Sequence, residues 1–190
     1  QQRSLEGLID ARLKGISHYL YGFHTLELNS EFLSFGRIAI SRASGVMPDG
    51  VAFQLPADDV EPSPLEISDA SITNQVVYLG LPLATDGVGE VRWPGDDLPA
   101  RYRLSSRSVR DLHSRDGATA ELEVARVSPR LLLESDDRSG YACLSVARII
   151  ERRPDGSLVL DEQFLPTLLN VQAAPGLQRF VGEMAGLMRE

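Results

Sequence analysis

The stretch Glu134–Pro166, ESDDRSGYACLSVARIIERRPDGSLVLDEQFLP, decides the fold. It reads as an acidic loop, a strand, a tight turn, a second strand and an apolar exit into Pro166. Ala142, Leu144, Val146 and Ile150 share one parity, and a strand turns residues of one parity to one face. After Pro154-Asp155-Gly156, residues Leu158, Leu160 and Phe164 repeat that spacing. Proline presets φ, and Asp-Gly supplies a residue that tolerates positive φ, so the chain reverses there. The stretch is therefore predicted to be a β-hairpin with one buried face.

Working outward, Glu121-Leu122-Glu123-Val124 alternates and continues through Arg126 towards Leu131-Leu132-Leu133. Arg126 and Arg148 fall on the apolar parity of their strands, each after Val-Ala. An arginine there must reach a carboxylate or extend to water. An ion pair with Asp136 or Asp137 and an intersubunit contact are the two readings. Tyr102–Arg110 carries Arg103, Arg107 and Arg110 and reads as a solvated strand face. Val76–Leu83, VVYLGLPL, is nearly continuous apolar sequence, as in a central strand buried on both faces.

Between Leu83 and Tyr102 lies a segment rich in Gly, Asp and Pro that holds the only tryptophan, Trp93. A large aromatic in a long loop is either a contact surface or a plug on the domain edge. His18 to Ile67 is short and strand-like: Tyr19, Tyr21 and Phe23 alternate, followed by Leu26, Leu28, Phe35, Ile38 and Ile40. Gly45, Pro48-Asp49-Gly50 and Pro56-Ala57-Asp58-Asp59 punctuate these strands. The two Pro-Asp-Gly turns have unlike flanks and read as one turn chemistry used twice, not as a repeat.

Helical periodicity appears only at the two ends. Leu5, Leu8, Ile9, Leu13 and Ile16 form one stripe over Gln2–Ile16. Pro175 suits a first helical turn, and Leu177, Phe180, Val181, Met184, Leu187 and Met188 follow on one narrow stripe. That stripe is a bundle seam or a face packed on the sheets. Many short strands between two helical ends predict a mainly β fold, an antiparallel β-sandwich flanked by an N-terminal and a C-terminal helix.

A chain of 190 residues can bury a sizeable core, and its net charge of −8 argues against a nucleic-acid or anionic-membrane partner. No apolar run approaches the roughly 20 residues that span a bilayer. The lone Cys143, on an apolar strand, reads as a buried, inert thiol. His18, His24 and His113 are scattered without metal-ligand spacing, and the doublets Asp58-Asp59, Asp96-Asp97 and Asp136-Asp137 lack the alternation of a calcium loop. No Gly-x-Ser-x-Gly elbow or dinucleotide fingerprint is present. The expectation is a non-enzyme with no catalytic, cofactor or metal site.

Several blocks carry a family resemblance. They are Leu8-Ile9-Asp10-Ala11-Arg12-Leu13, Tyr21-Gly22-Phe23, Gly45-Val46-Met47-Pro48-Asp49-Gly50 and Phe53 through Asp59. Leu131 through Asp137, Gly140-Tyr141, Val146-Ala147-Arg148-Ile149 and Phe164-Leu165-Pro166 complete the set. In that order they resemble the TssK (ImpJ/VasE) family of type VI secretion baseplate subunits. The resemblance implies a shoulder β-sandwich over residues 1–170, akin to the shoulder of phage receptor-binding proteins, and the start of a helical neck over 171–190. It implies a homotrimer joined at the neck and docking to the baseplate wedge proteins TssF and TssG. It further implies contact with the TssJ-TssL-TssM membrane complex only through a head domain outside these residues. The implied location is the bacterial cytoplasm, at the cytoplasmic face of the inner membrane. Rival readings are a phage-like receptor-binding or adaptor protein and a small-ligand-binding β-sandwich.

Overall fold

The computed structural model describes residues 20–84, 91–93, 99–110, 119–170 and 175–187. The helix predicted over Gln2–Ile16 lies outside them. Within the described residues the chain is mainly strand. The first sheet holds β1 (Gly22–Leu28), β3 (Ile40–Val46) and β4 (Ala52–Leu55), in the order β1-β3-β4. The second holds β6 (Thr73–Pro82), β10 (Arg130–Leu133), β11 (Tyr141–Arg152) and β12 (Leu158–Leu160), in the order β10-β6-β11-β12. Both are antiparallel throughout.

One core lies between these sheets. Phe23, Ile40, Ala43, Met47, Phe53 and Leu55 come from the first sheet and its turn. Val77, Leu79, Leu81, Leu144, Val146 and Ile149 come from the second. Phe23 and Phe53 meet edge to face, with ring centroids 5.9 Å apart, the arrangement that sets a positive ring edge on a negative face. A strap closes one side. Phe23 N–H donates to the Thr167 carbonyl and Leu169 N–H donates to the Phe23 carbonyl, both at 2.8 Å, while Thr167 N–H donates to Ser145 on β11. The strap crosses so close to β1 that a Cβ on Gly22 would stand 2.9 Å from the Thr167 carbonyl oxygen. This is an antiparallel β-sandwich.

The smaller elements are β2 (Arg37–Ile38) paired with β5 (Leu65–Glu66), and a sheet of β7 (Val91–Arg92), β8 (Tyr102–Arg110) and β9 (Thr119–Val127). The β7–β8 pairing is parallel. β8 and β9 form a ribbon in unbroken register from Tyr102↔Val127 to Arg110↔Thr119.

Both Pro-Asp-Gly segments make the same hairpin turn. Gly50 N–H donates to the Met47 carbonyl and Gly156 N–H to the Arg153 carbonyl, each at 2.9 Å. The glycines sit at φ of 92° and 90°, where a Cβ is strained. Asp49 Oδ1 and Asp155 Oδ1 accept from the backbone two residues on, which locks each turn.

Three local readings need correction. First, β11 does not keep one parity. A register shift between Ser145 and Ala147 lets Val146 and Ala147 both point inward. Beyond that bulge the buried residue is Ile149, at 0 % exposure, whereas Ile150 is 46 % exposed. Second, Arg148 consequently leaves the apolar face. Third, Phe35 is not on a strand: Asn29 caps a one-turn helix α1 (Ser30–Leu33), and Phe35 follows it, 75 % exposed. The second helix, α2 (Pro175–Leu187), follows the strap.

Candidate protein-interaction surfaces

Of the polar side chains that sequence reasoning weighed for chemistry, His24 is exposed on β1 and the described aspartates hold turns or a surface ion pair. Asp59 is buried, and its Oδ1 and Oδ2 accept from Val127 N–H and Gln54 N–H, each at 2.9 Å. Asp58 stands 3.7 Å from the Arg107 guanidinium. Asp136 Oδ2 accepts from Leu133 N–H, and Asp137 Oδ1 accepts from Ser139 N–H, which holds the Asp137 carboxyl below its ordinary range. His18, His113 and the Asp96-Asp97 pair lie outside the described residues. Among the described residues no group of three His, Cys, Asp or Glu could hold a metal ion. Cys143 is half-buried, and that burial pushes its thiol up, away from reactive thiolate.

Arg126 and Arg148 find partners other than Asp136 and Asp137. The Arg126 guanidinium donates to three backbone carbonyls of one turn: Asp58 at 2.7 Å, Pro56 at 3.0 Å and Asp59 at 2.7 Å. It therefore ties the base of the β8–β9 ribbon to the end of β4. Arg148 lies 3.7 Å from Asp161 and 5.1 Å from the Phe164 ring centroid, pinning the exit of the hairpin at its surface.

Sequence reasoning missed the pair Arg101–Asp49. Arg101, buried at 6 % exposure, stands 2.6 Å from the Asp49 carboxylate and donates to the Pro82 carbonyl at 2.7 Å. These contacts join the first Pro-Asp-Gly turn, the end of β6 and the start of β8. An open cleft of about 240 Å³ lies beside this junction, with Glu61, Glu66, Arg103 and Arg130 among its lining. Its mixed charges favour no ligand class.

What remains is exposed apolar surface. Trp93, just after β7, is 64 % exposed. On α2, Phe180, Val181 and Met184 are 58 %, 50 % and 44 % exposed, while Leu177 is partly buried. The Leu187 side chain and Met188 lie outside the described residues. A helix stripe left bare in this way is the surface by which helices associate. No helix among the described residues is long and apolar enough to cross a membrane.

Comparison with known proteins agrees with this mainly β, antiparallel fold. The family model described as "Bacterial Type VI secretion, VC_A0110, EvfL, ImpJ, VasE" matches residues 1–190. The type VI secretion system baseplate component TssK1 of Pseudomonas aeruginosa is 39% identical over 189 residues, covering 99% of this chain and 42% of that protein. A crystal structure of TssK superposes with a TM-score of 0.91 at 34% identity, over 99% of this chain and 42% of that one. A chain in the TssK-TssF-TssG baseplate subcomplex gives 0.82 at 23% identity over 96% of this chain and 61% of that one, a likeness of fold alone. This chain spans less than half the length of TssK1. It belongs to the ImpJ/VasE family of bacterial type VI secretion proteins.

Proposed function

We propose that this chain is the shoulder part of a baseplate subunit of the type VI secretion apparatus, a non-enzymatic assembly protein. The observation that carries this reading is the TM-score of 0.91 at 34% identity to TssK, over 99% of the chain. In this reading residues 1–170 form the shoulder and 171–190 begin the neck. The shoulder docks on the wedge proteins TssF and TssG, the companions of TssK in the subcomplex that shares this fold. The α2 stripe Leu177, Phe180, Val181 and Met184, with Leu187 and Met188 beyond it, is the seam joining three copies. Trp93 is a contact residue at the domain edge.

The intact subunit works in the cytoplasm at the inner membrane, and its head domain reaches the TssJ-TssL-TssM complex. Attachment is multivalent: three weak shoulder contacts become one tight one when the neck holds them at a fixed spacing. Capture of the 190-residue chain by co-expressed TssF and TssG tests the reading. Retention through washing is the expected result, and passage of the chain through the column while TssF and TssG stay bound to each other contradicts it.

A further inference from the structure

Among the described residues, β9 is the outermost strand of the β7–β8–β9 sheet. A strand edge is a row of unpaired N–H and C=O groups, and soluble proteins blunt it with short length, bulges, proline or cover. This chain does so at its other described edges. β10, β4 and β12 run four, four and three residues, and Pro56 follows β4 directly. β1 carries two register shifts and is crossed by the Thr167–Leu169 strap. β9 differs. It runs nine residues, contains no proline, and keeps register with β8 without a bulge.

The direction of its backbone groups follows from the bonds at its base. Val127 N–H donates to Asp59 Oδ1 and its carbonyl accepts from Val60 N–H, both at 2.9 Å, so Val127 points away from β8. Ser128 N–H instead donates to Arg101 at the start of β8. Backbone direction alternates along a strand, so Ala125, Glu123 and Glu121 also present N–H and C=O outward. The segment Asp59–Val60 already occupies the first rung of this edge. The rungs beyond it are open among the described residues, where β9 is the outermost strand of its sheet.

Side chains select the occupant. Glu121 and Glu123 are exposed on one face of the ribbon, beside Ser106 and Ser108. Leu122, 49 % exposed, lies on the opposite face with the half-buried Val124. A strand laid along β9 meets carboxylates on one face and Leu122 and Val124 on the other, where Arg107 stands opposite Leu122 and Arg126 is bonded to the Pro56–Asp59 turn. Opposite charges across a strand pair stabilise it and like charges oppose it. A second copy of this chain fits poorly, because fully overlapped antiparallel pairing of two β9 strands sets Glu123 against its own copy. We infer that the β9 edge is a docking site for an extended segment of a partner protein that alternates basic with apolar residues. The bound segment continues the sheet from the rung that Val60 begins, and its lysine or arginine side chains stand over Glu121 and Glu123.

The probe is an acetylated, amidated lysine–valine alternating octapeptide, with a glutamate–valine octapeptide as its control, titrated onto the 190-residue chain. Amide hydrogen exchange read by NMR is expected to slow at Glu121, Glu123 and Ala125. The lysine peptide is expected to bind about tenfold more tightly than the glutamate peptide. Reversing both charges, Glu121→Lys with Glu123→Lys, is expected to reverse that preference. Glu123→Pro removes both an outward N–H and the carboxylate but no hydrogen bond to β8, so it should abolish binding while the β8 amides stay protected. Equal affinity for both peptides, protection on another strand in place of β9, or no protection at millimolar lysine peptide overturns the inference.

Discussion

Arg101, buried, and Asp49, partly exposed, form an ion pair 2.6 Å apart between the β3–β4 turn and the start of β8. Removing Asp49 leaves the buried Arg101 guanidinium on the Pro82 carbonyl without the Asp49 counter-charge. Asp49→Ala is therefore expected to cost about 3–5 kcal/mol of stability. Replacing both, Asp49→Leu with Arg101→Met, is expected to recover much of that loss, since no charge is then left buried. Urea denaturation of the three proteins checks this, and a double variant no better than Asp49→Ala would show that the pair does more than balance charge.

Two glycines are expected to respond in opposite directions. A Cβ on Gly45 would run into the Gly22 carbonyl oxygen on the neighbouring strand, which is backbone and has little room to move. Gly45→Ala should cost about 1–3 kcal/mol, the range for overpacking a tight site. Gly182, within α2, has nothing within 4 Å of its Cβ position. Gly182→Ala should stabilise the helix by about 0.5–1 kcal/mol, because glycine is the freer residue in the unfolded chain. Thermal unfolding followed by circular dichroism reads both.

At low pH the second Pro-Asp-Gly turn gives a distinct signature. Hydrogen bonds from the Ser157 hydroxyl and backbone N–H hold the Asp155 carboxyl below its ordinary value. A carboxyl lowered on folding stabilises the fold above its unfolded pKa, and that stability is lost as pH falls through the folded value. The loss thus falls below about pH 4, the ordinary carboxylate range. Ser157→Ala removes the largest cause, so the Asp155 titration should move upward in a side-chain NMR titration, with stability near neutrality little altered. An unchanged midpoint would rule out the hydroxyl as the cause.

The bare stripe on α2 predicts a clean separation of assembly from folding. Phe180→Gln with Met184→Gln exposes nothing new, since both side chains already face outward. The sandwich should unfold at an unchanged temperature, while the trimer proposed for the intact subunit should fall to monomer mass by light scattering. A variant that stays trimeric would move the seam off this face.

Much of the fold was legible because its signals are local. Pro154-Asp155-Gly156 and Pro48-Asp49-Gly50 dictate reversals through their own torsions, and the apolar run from Val76 to Pro82 lies on β6, between β10 and β11, with Leu83 exposed just past it. The bulge in β11 was not legible, because Val146, Ala147, Ile149 and Ile150 put apolar residues on both parities and only the partner strand decides between them. The Arg101–Asp49 pair was illegible for a similar reason: its partners are distant in sequence, and the Pro-Asp-Gly turn that holds Asp49 says nothing of Arg101. Of the candidate surfaces, Trp93 and the α2 stripe could be read from residue type and spacing. That β9 is outermost among the described strands of its sheet could not, since that is a property of topology.

Competition tests the central claim most directly. A complex of full-length TssK with TssF and TssG is challenged with a labelled, excess 190-residue chain, and the products are separated by size. If this chain is a wedge-binding shoulder, the label should move into the TssF–TssG fraction and full-length TssK should be released. Label that stays with the free chain at every excess, with the complex intact, would contradict the account.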